Sequence, residues 1–150
     1  RGHIAPSADM LRSQSINDES FLLSNMAPQD PSLNRGIWST LEDDVRDWAK
    51  KRGSVWIIAG PIFDDGQQTI GLNKVGVPQR FYKIVISGQD CNFDSISFVF
   101  PNGKAQNNLE YYITSIDNIE QATGLDFLDV VEDKLEEKIE SASAKGLWNK

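Results

Sequence analysis

Between residues 38 and 49 the apolar positions recur at helical spacing. Trp38, Leu41, Val45, Trp48 and Ala49 share one face, while Glu42, Asp43, Arg46 and Lys50 lie mostly on the other. This predicts an amphipathic helix ending before Gly53. Its start has two candidates. Asp30-Pro31 can open a helix, because Asp accepts from free N–H groups and Pro suits the first turn; Ser39 with Glu42 forms a second capping box. Gly36 leaves room for a break between them. Val55–Ala59 reads as a fully buried strand ended by Gly60-Pro61, Arg80–Ser87 as a second strand beside it, and Ser95–Phe100 as a third, closed by Pro101-Asn102-Gly103. Tyr111–Ser115 is a candidate fourth strand, followed by a small helix around Asp117–Ala122. Phe127, Val131, Leu135 and Ile139 sit four apart, predicting a last amphipathic helix with an acidic, solvated outer face. Phe21-Leu22-Leu23 reads as a short buried strand. Residues 1–20 lack periodicity and read as a long irregular loop, with a helical turn around Ala8–Arg12; loops of that length are usually functional. Strands and helices in this order, without repeats or linkers, predict one α+β domain over residues 1–150: a central, mainly antiparallel sheet with flanking helices.

Charge changes this picture only locally. The chain of 150 residues carries a formal net charge of −7, which at first argues against a nucleic-acid partner. Seven acids and two lysines between Asp126 and Glu140 account for most of that excess, whereas residues 1–52 hold seven Lys/Arg against eight Asp/Glu. No apolar run reaches the length of a membrane span, so no membrane partner is expected. Cys91 is the single cysteine, which excludes an internal disulfide and a thiolate zinc site; its surroundings read as structural. His3 is the single histidine, so a metal site built on paired histidines is excluded.

The N-terminal region gathers Arg1, His3, Asn25, Gln29, Asn34, Arg35 and Glu42 among loops and helix starts. Phosphodiester cleavage needs an activated nucleophile, neutralisation of charge on the phosphate oxygens and help for the leaving oxygen. A neutral imidazole can take a proton from water, and an arginine fork suits phosphate. Taken alone, one His is more often structural and one Asn more often a cap. Other polar residues have plainer readings. Lys50-Lys51-Arg52 answers the helix dipole, Asp64-Asp65 precedes Gly66 in a turn, Trp38 and Trp48 are core, Trp56 is strand core and Trp148 a tail residue.

The strings themselves carry more. Arg1-Gly2-His3-Ile4-Ala5-Pro6, then Ser24-Asn25-Met26-Ala27-Pro28-Gln29, Leu33-Asn34-Arg35-Gly36-Ile37-Trp38 and Leu41-Glu42 resemble the two blocks of the DNA/RNA non-specific endonuclease family, whose sites are of the ββα-metal, or His-Me finger, type. Gly60-Pro61-Ile62-Phe63, Val77-Pro78 before Phe81-Tyr82-Lys83, and Ile119-Glu120 before Thr123–Phe127 extend the likeness to about residue 130. The resemblance implies that His3 is the general base, Arg1 a phosphate ligand and Asn34 the one side chain holding a Mg²⁺-like ion. It further implies that Glu42 supports the hydrated metal, with Asn25 close by. On one continuous helix, Asn34 and Glu42 would be about 12 Å apart along the axis and about 80° apart in facing, so Glu42 acts through water. Its alternative is a capping acid answering Ser39, and Arg35 is either a phosphate contact or a surface residue.

The implied activity is Mg²⁺-dependent hydrolysis of DNA and RNA through phosphate-backbone contacts, indifferent to sequence and sugar, with 5′-phosphate products and Mn²⁺ as a substitute ion. The competing reading is a nucleic-acid-binding or scaffold domain of this descent that no longer cleaves. Family domains ordinarily carry strands before the Arg-Gly-His core. A segment of that kind is expected to pack on this chain, and the oligomeric state is left open. The resemblance leans toward a secreted or periplasmic protein.

Overall fold

The computed structural model describes residues 1–89, 92–142 and 146–148; Cys91 lies outside them. Strand β1 (Gly2–His3) is followed by a 3-10 turn at Ser7–Asp9 and helix α1 (Gln14–Glu19). The first twenty residues are therefore more ordered than their composition suggests. Ser13 Oγ accepts from the Ile16 N–H at 3.3 Å and opens α1, a short cap within a polar run.

Strand β2 (Met26–Ala27) pairs with β1, and helix α2 (Pro31–Asn34) follows at once. Asp30 caps α2 through the Ser32 N–H and hydroxyl, which hold its carboxyl below the usual range. The chain then breaks at Arg35-Gly36 before helix α3 (Ile37–Arg52), which stops at Gly53 with φ 85°. A Cβ on Gly36 would meet the Ser32 carbonyl at 2.4 Å, so only glycine lets the two helices join so closely. Gly36, not Ser39, stands at the N-cap of α3. Because the helix is interrupted, the continuous-helix arithmetic between Asn34 and Glu42 does not hold.

The main sheet has strand order β3-β6-β7-β8 and is antiparallel throughout, formed by β3 (Trp56–Ile62), β6 (Arg80–Gln89), β7 (Asn92–Pro101) and β8 (Ile113–Thr114). A small hairpin of β4 (Thr69–Ile70) and β5 (Val75–Gly76) stands apart from it. Strand β6 is buried on both faces. Phe81 and Val85 meet α3 together with Ile96, Phe98 and Phe100 of β7, whereas Tyr82, Ile84 and Ile86 meet α4 (Ile116–Thr123) and α5 (Asp133–Glu140). The expected α+β class, with a mainly antiparallel sheet and flanking helices, is what the chain adopts.

Several local expectations change. Strand β3 lies at an edge, which is why Pro61 is tolerated inside it. Its first residues, Trp56 at 52% and Ile57 at 44% exposure, are not core. Phe21-Leu22-Leu23 is an exposed turn leading into a 3-10 segment, and no strand forms there. The last helix is shorter than its spacing suggests: it starts at Asp133, and 126–132 is non-helical, with the Phe127 N–H held by the Glu120 carboxylate at 2.8 Å. Trp148 is buried, its ring edge-on to Trp48 at 5.4 Å and its carbonyl accepting the Trp48 indole N–H at 3.1 Å. It clamps α3 and is no loose tail.

Candidate active site

The β1–β2 ribbon pairs Gly2 with Ala27 and His3 with Met26. Two such short strands need outside support, and Asn25 supplies it. Its backbone carbonyl accepts the Ile4 N–H at 3.0 Å and its Oδ1 accepts the Ala5 N–H at 2.9 Å. Its Nδ2 donates to the Ala5 and Ser20 carbonyls, both at 2.8 Å. All of that side chain's observed bonding is therefore to backbone, which makes Asn25 the clamp on the strand that carries His3. The His3 ring is half-buried and meets Phe21 edge-on, with centroids 4.7 Å apart. Its Nε2 is buried with no hydrogen-bond partner. A buried imidazole nitrogen without a partner is costly unless something else completes it.

Two amides close over Gly2. A Cβ there would lie 1.8 Å from Gln29 Oε1 and 3.0 Å from Asn34 Oδ1. Gln29 is 6% exposed, and neither of its amide atoms has a partner. The Asn34 oxygen, at the end of α2, thus sits against the residue next to His3. Arg1 is exposed and borders a groove of about 530 Å³ with Met26, Gln29, Val75 and Val77. Asn102 anchors one wall, donating to the Pro28 and Pro78 carbonyls at 3.0 and 2.8 Å and accepting the Asp30 N–H at 2.7 Å. In the sequence Asn102 looked like an ordinary turn residue.

Glu42 lies under α3 at 3.8 Å from Lys83 Nζ. Lys83 is 2% exposed and its ammonium stands 4.3 Å from the Trp38 ring centroid. Burial lowers Lys83 to about 8, opposed by Glu42 and Asp9. Burial also raises the Glu42 carboxyl, outweighing the pull of Lys83 and Arg46. Arg46 bridges to Asp9 at 2.9 Å and to Asp43, fastening the segment after His3 to α3. In the sequence Lys83 stood out only as part of the Phe81-Tyr82-Lys83 string, although its alternation with Phe81 and Val85 puts it on the apolar side of β6.

Arg1, His3, Asn25 and Asn34 thus converge on the β1–β2 ribbon, while Glu42 pairs with Lys83 and feels the charges of Arg46 and Asp9. Arg35 is exposed at the C-cap of α2. Asp65-Gly66 forms the expected turn, and Asp64 beside it pairs with Arg80. Among the described residues, the carboxylate groups able to surround an ion lie on α4, α5 and the segment between them, away from this ribbon.

The family model for DNA/RNA non-specific endonucleases matches residues 1–134. The chain belongs to that family. It is 38% identical over 151 residues to a nuclease of Nostoc sp., covering 94% of this chain and 54% of the relative. It is 36% identical over 141 residues to human mitochondrial endonuclease G, covering 85% and 48%, and 33% identical over 147 residues to the zebrafish mitochondrial nuclease EXOG, covering 88% and 43%. The solved EndoG/EndoGI complex includes a chain that superposes with a TM-score of 0.81 at 32% identity, over 90% of this chain and 61% of that one. The chain therefore spans about half the length of the curated relatives it matches. The expectation of a secreted or periplasmic protein is corrected, because relatives from zebrafish, human, cattle and fission yeast are named as mitochondrial nucleases. No helix among the described residues is long and apolar enough to cross a membrane.

Proposed function

We propose that this chain carries the catalytic centre of a nuclease that hydrolyses phosphodiester bonds in DNA and RNA with little regard for sequence or sugar, leaving 5′-phosphate ends. The observation that supports it most is the orphaned, buried Nε2 of His3 on a strand bordered by the Asn34 carboxamide oxygen. His3 takes a proton from the attacking water through that nitrogen, which has no competing partner among the described residues. The Phe21 ring and the Asn25 clamp hold the imidazole's position and keep its approach narrow. Arg1 is the phosphate ligand, since it is exposed on the groove and its guanidinium can donate to two phosphate oxygens in one plane.

The donor set fits a hard, largely hydrated divalent cation, Mg²⁺ or Mn²⁺. Asn34 offers one neutral oxygen, and the chain holds no second imidazole. Such an ion would neutralise charge building on the phosphate and the leaving oxygen. Asn34 would hold it, and Glu42 would act through water, because its carboxylate is engaged by Lys83. Contacts confined to phosphate and sugar are what sequence-independent cleavage requires.

Digesting plasmid DNA and a structured RNA in Mg²⁺, with EDTA in parallel and end analysis of the fragments, tests this reading. Cleavage of both that stops with EDTA and leaves 5′-phosphates supports it. Binding without turnover at any Mg²⁺ concentration would instead identify a scaffold domain.

A further inference from the structure

The sheet face opposite α3 carries an unusual carboxylate. Glu140, the last residue of α5, is 9% exposed, and its Oε1 is buried with no hydrogen-bond partner among the described residues. Among the described residues the charges acting on it have its own sign: burial, Glu120, Glu136 and Asp117, with a side-chain hydrogen bond to Glu120, push its carboxyl up to about 7. In two overlapping groups, Asp117–Glu120–Glu140 and Asp126–Glu136–Glu140, one oxygen from each carboxyl lies within 4.8 Å of the others. That limit is twice a Ca²⁺–oxygen distance of about 2.4 Å, so three such oxygens can face a common centre. A buried carboxylate ringed by carboxylates is costly unless a cation or a proton is supplied.

We propose that Glu140, Glu120 and Asp117 form a calcium site, with Asp126 and Glu136 deepening its negative potential. The donors are all carboxylate oxygens, without the sulfur or nitrogen ligands zinc favours. Asp117 and Asp126 are exposed, leaving room for the waters that complete a Ca²⁺ shell of six to eight oxygens. Magnesium, with its short bonds and strict octahedron, suits this looser set less well. The ion joins α4, through Asp117 and Glu120, to the end of α5. Glu120 also accepts the Phe127 N–H, so the same residue orders the non-helical segment between the helices. The site is built on the apolar layer of Ile116, Ile119 and Ile139, across the sheet from His3, and does not rest on the nuclease reading.

The test is calorimetric titration with CaCl₂ and thermal unfolding of the chelator-stripped chain, alongside Glu140→Gln, Asp117→Asn and, as a control for a cation beside His3, Asn34→Ala. The parent and Asn34→Ala should bind with Kd on the order of 10⁻⁴–10⁻³ M and melt higher when saturated. Glu140→Gln and Asp117→Asn should lose most of that response. In chelator, Glu140→Gln should melt above the parent at pH 8. The raised acid's favourable contribution is full below the ordinary carboxylate range and is lost as pH rises through about 7. This comparison also shows that the variant folds. A parent chain that calcium does not stabilise, or an equal response in Glu140→Gln, overturns the proposal. A pH response without a calcium response does so too, since a proton would then hold the site.

Discussion

Asn25 and Lys83 hold the candidate centre by different means. Asn25 spends its amide on three backbone partners. At about 1 kcal/mol net per part-buried hydrogen bond, Asn25→Ala should cost roughly 3 kcal/mol in urea denaturation. Activity should fall further than the remaining folded fraction explains, because His3 rides on the strand that Asn25 clamps. Lys83 is a buried cation whose partner at 3.8 Å does not fully offset its desolvation. With its folded pKa lowered to about 8, the unfolded chain holds the extra proton between pH 8 and about 10.5, so stability rises with pH across that window. Lys83→Met should flatten this slope, which is worth up to roughly 3 kcal/mol. Urea midpoints measured from pH 8 to pH 10 check it; an unchanged slope would mean that Lys83 keeps its ordinary affinity for protons.

How far the elements could be read depended on how local their causes are. Helix α3 was legible because its apolar face and its Gly53 stop lie within one stretch of sequence, and β6 and β7 were legible as apolar runs bounded by turn residues. The break at Gly36 was visible only as an option, since its necessity comes from contact with the Ser32 carbonyl. Strand β3 was misread as core because an apolar run does not tell whether a strand is central or at an edge. The last helix begins later than its spacing suggests, at Asp133, after a segment whose Phe127 N–H is held by Glu120, seven residues earlier in the chain. Trp148 was misread too, its partner Trp48 being a hundred residues away. Filling the space beside Trp48 and Phe98, and passing under Arg52 at 3.8 Å, it closes the end of α3. Trp148→Ala should cost about 3 kcal/mol and lower the melting temperature without changing the chemistry of the folded fraction. An unshifted melt would show that the C-terminal segment contributes nothing to the helix.

Taken whole, the molecule separates two kinds of electrostatics across one sheet. The α3 side gathers His3, Asn34, Arg1 and the ion pairs Asp9–Arg46 and Glu42–Lys83, while the α4–α5 side concentrates the acids that make the net charge −7. Composition reported only the sum, so the acidic segment looked like solvated surface and its buried member, Glu140, was invisible. The candidate residues were legible as strings, whereas their convergence was not. Arg1, His3, Asn25 and Asn34 meet because two short strands pair and an interrupted helix ends against Gly2, and no sequence periodicity encodes either.

The central claim is that His3 is the proton acceptor in this centre, and the most direct measurement is the initial rate of plasmid nicking by His3→Ala beside the parent chain in saturating Mg²⁺. A fall of about 10²–10⁴-fold, with an unchanged urea midpoint and unchanged plasmid affinity, is the predicted result. Nicking by His3→Ala at the parent's rate would contradict the account and move the base elsewhere in the fold.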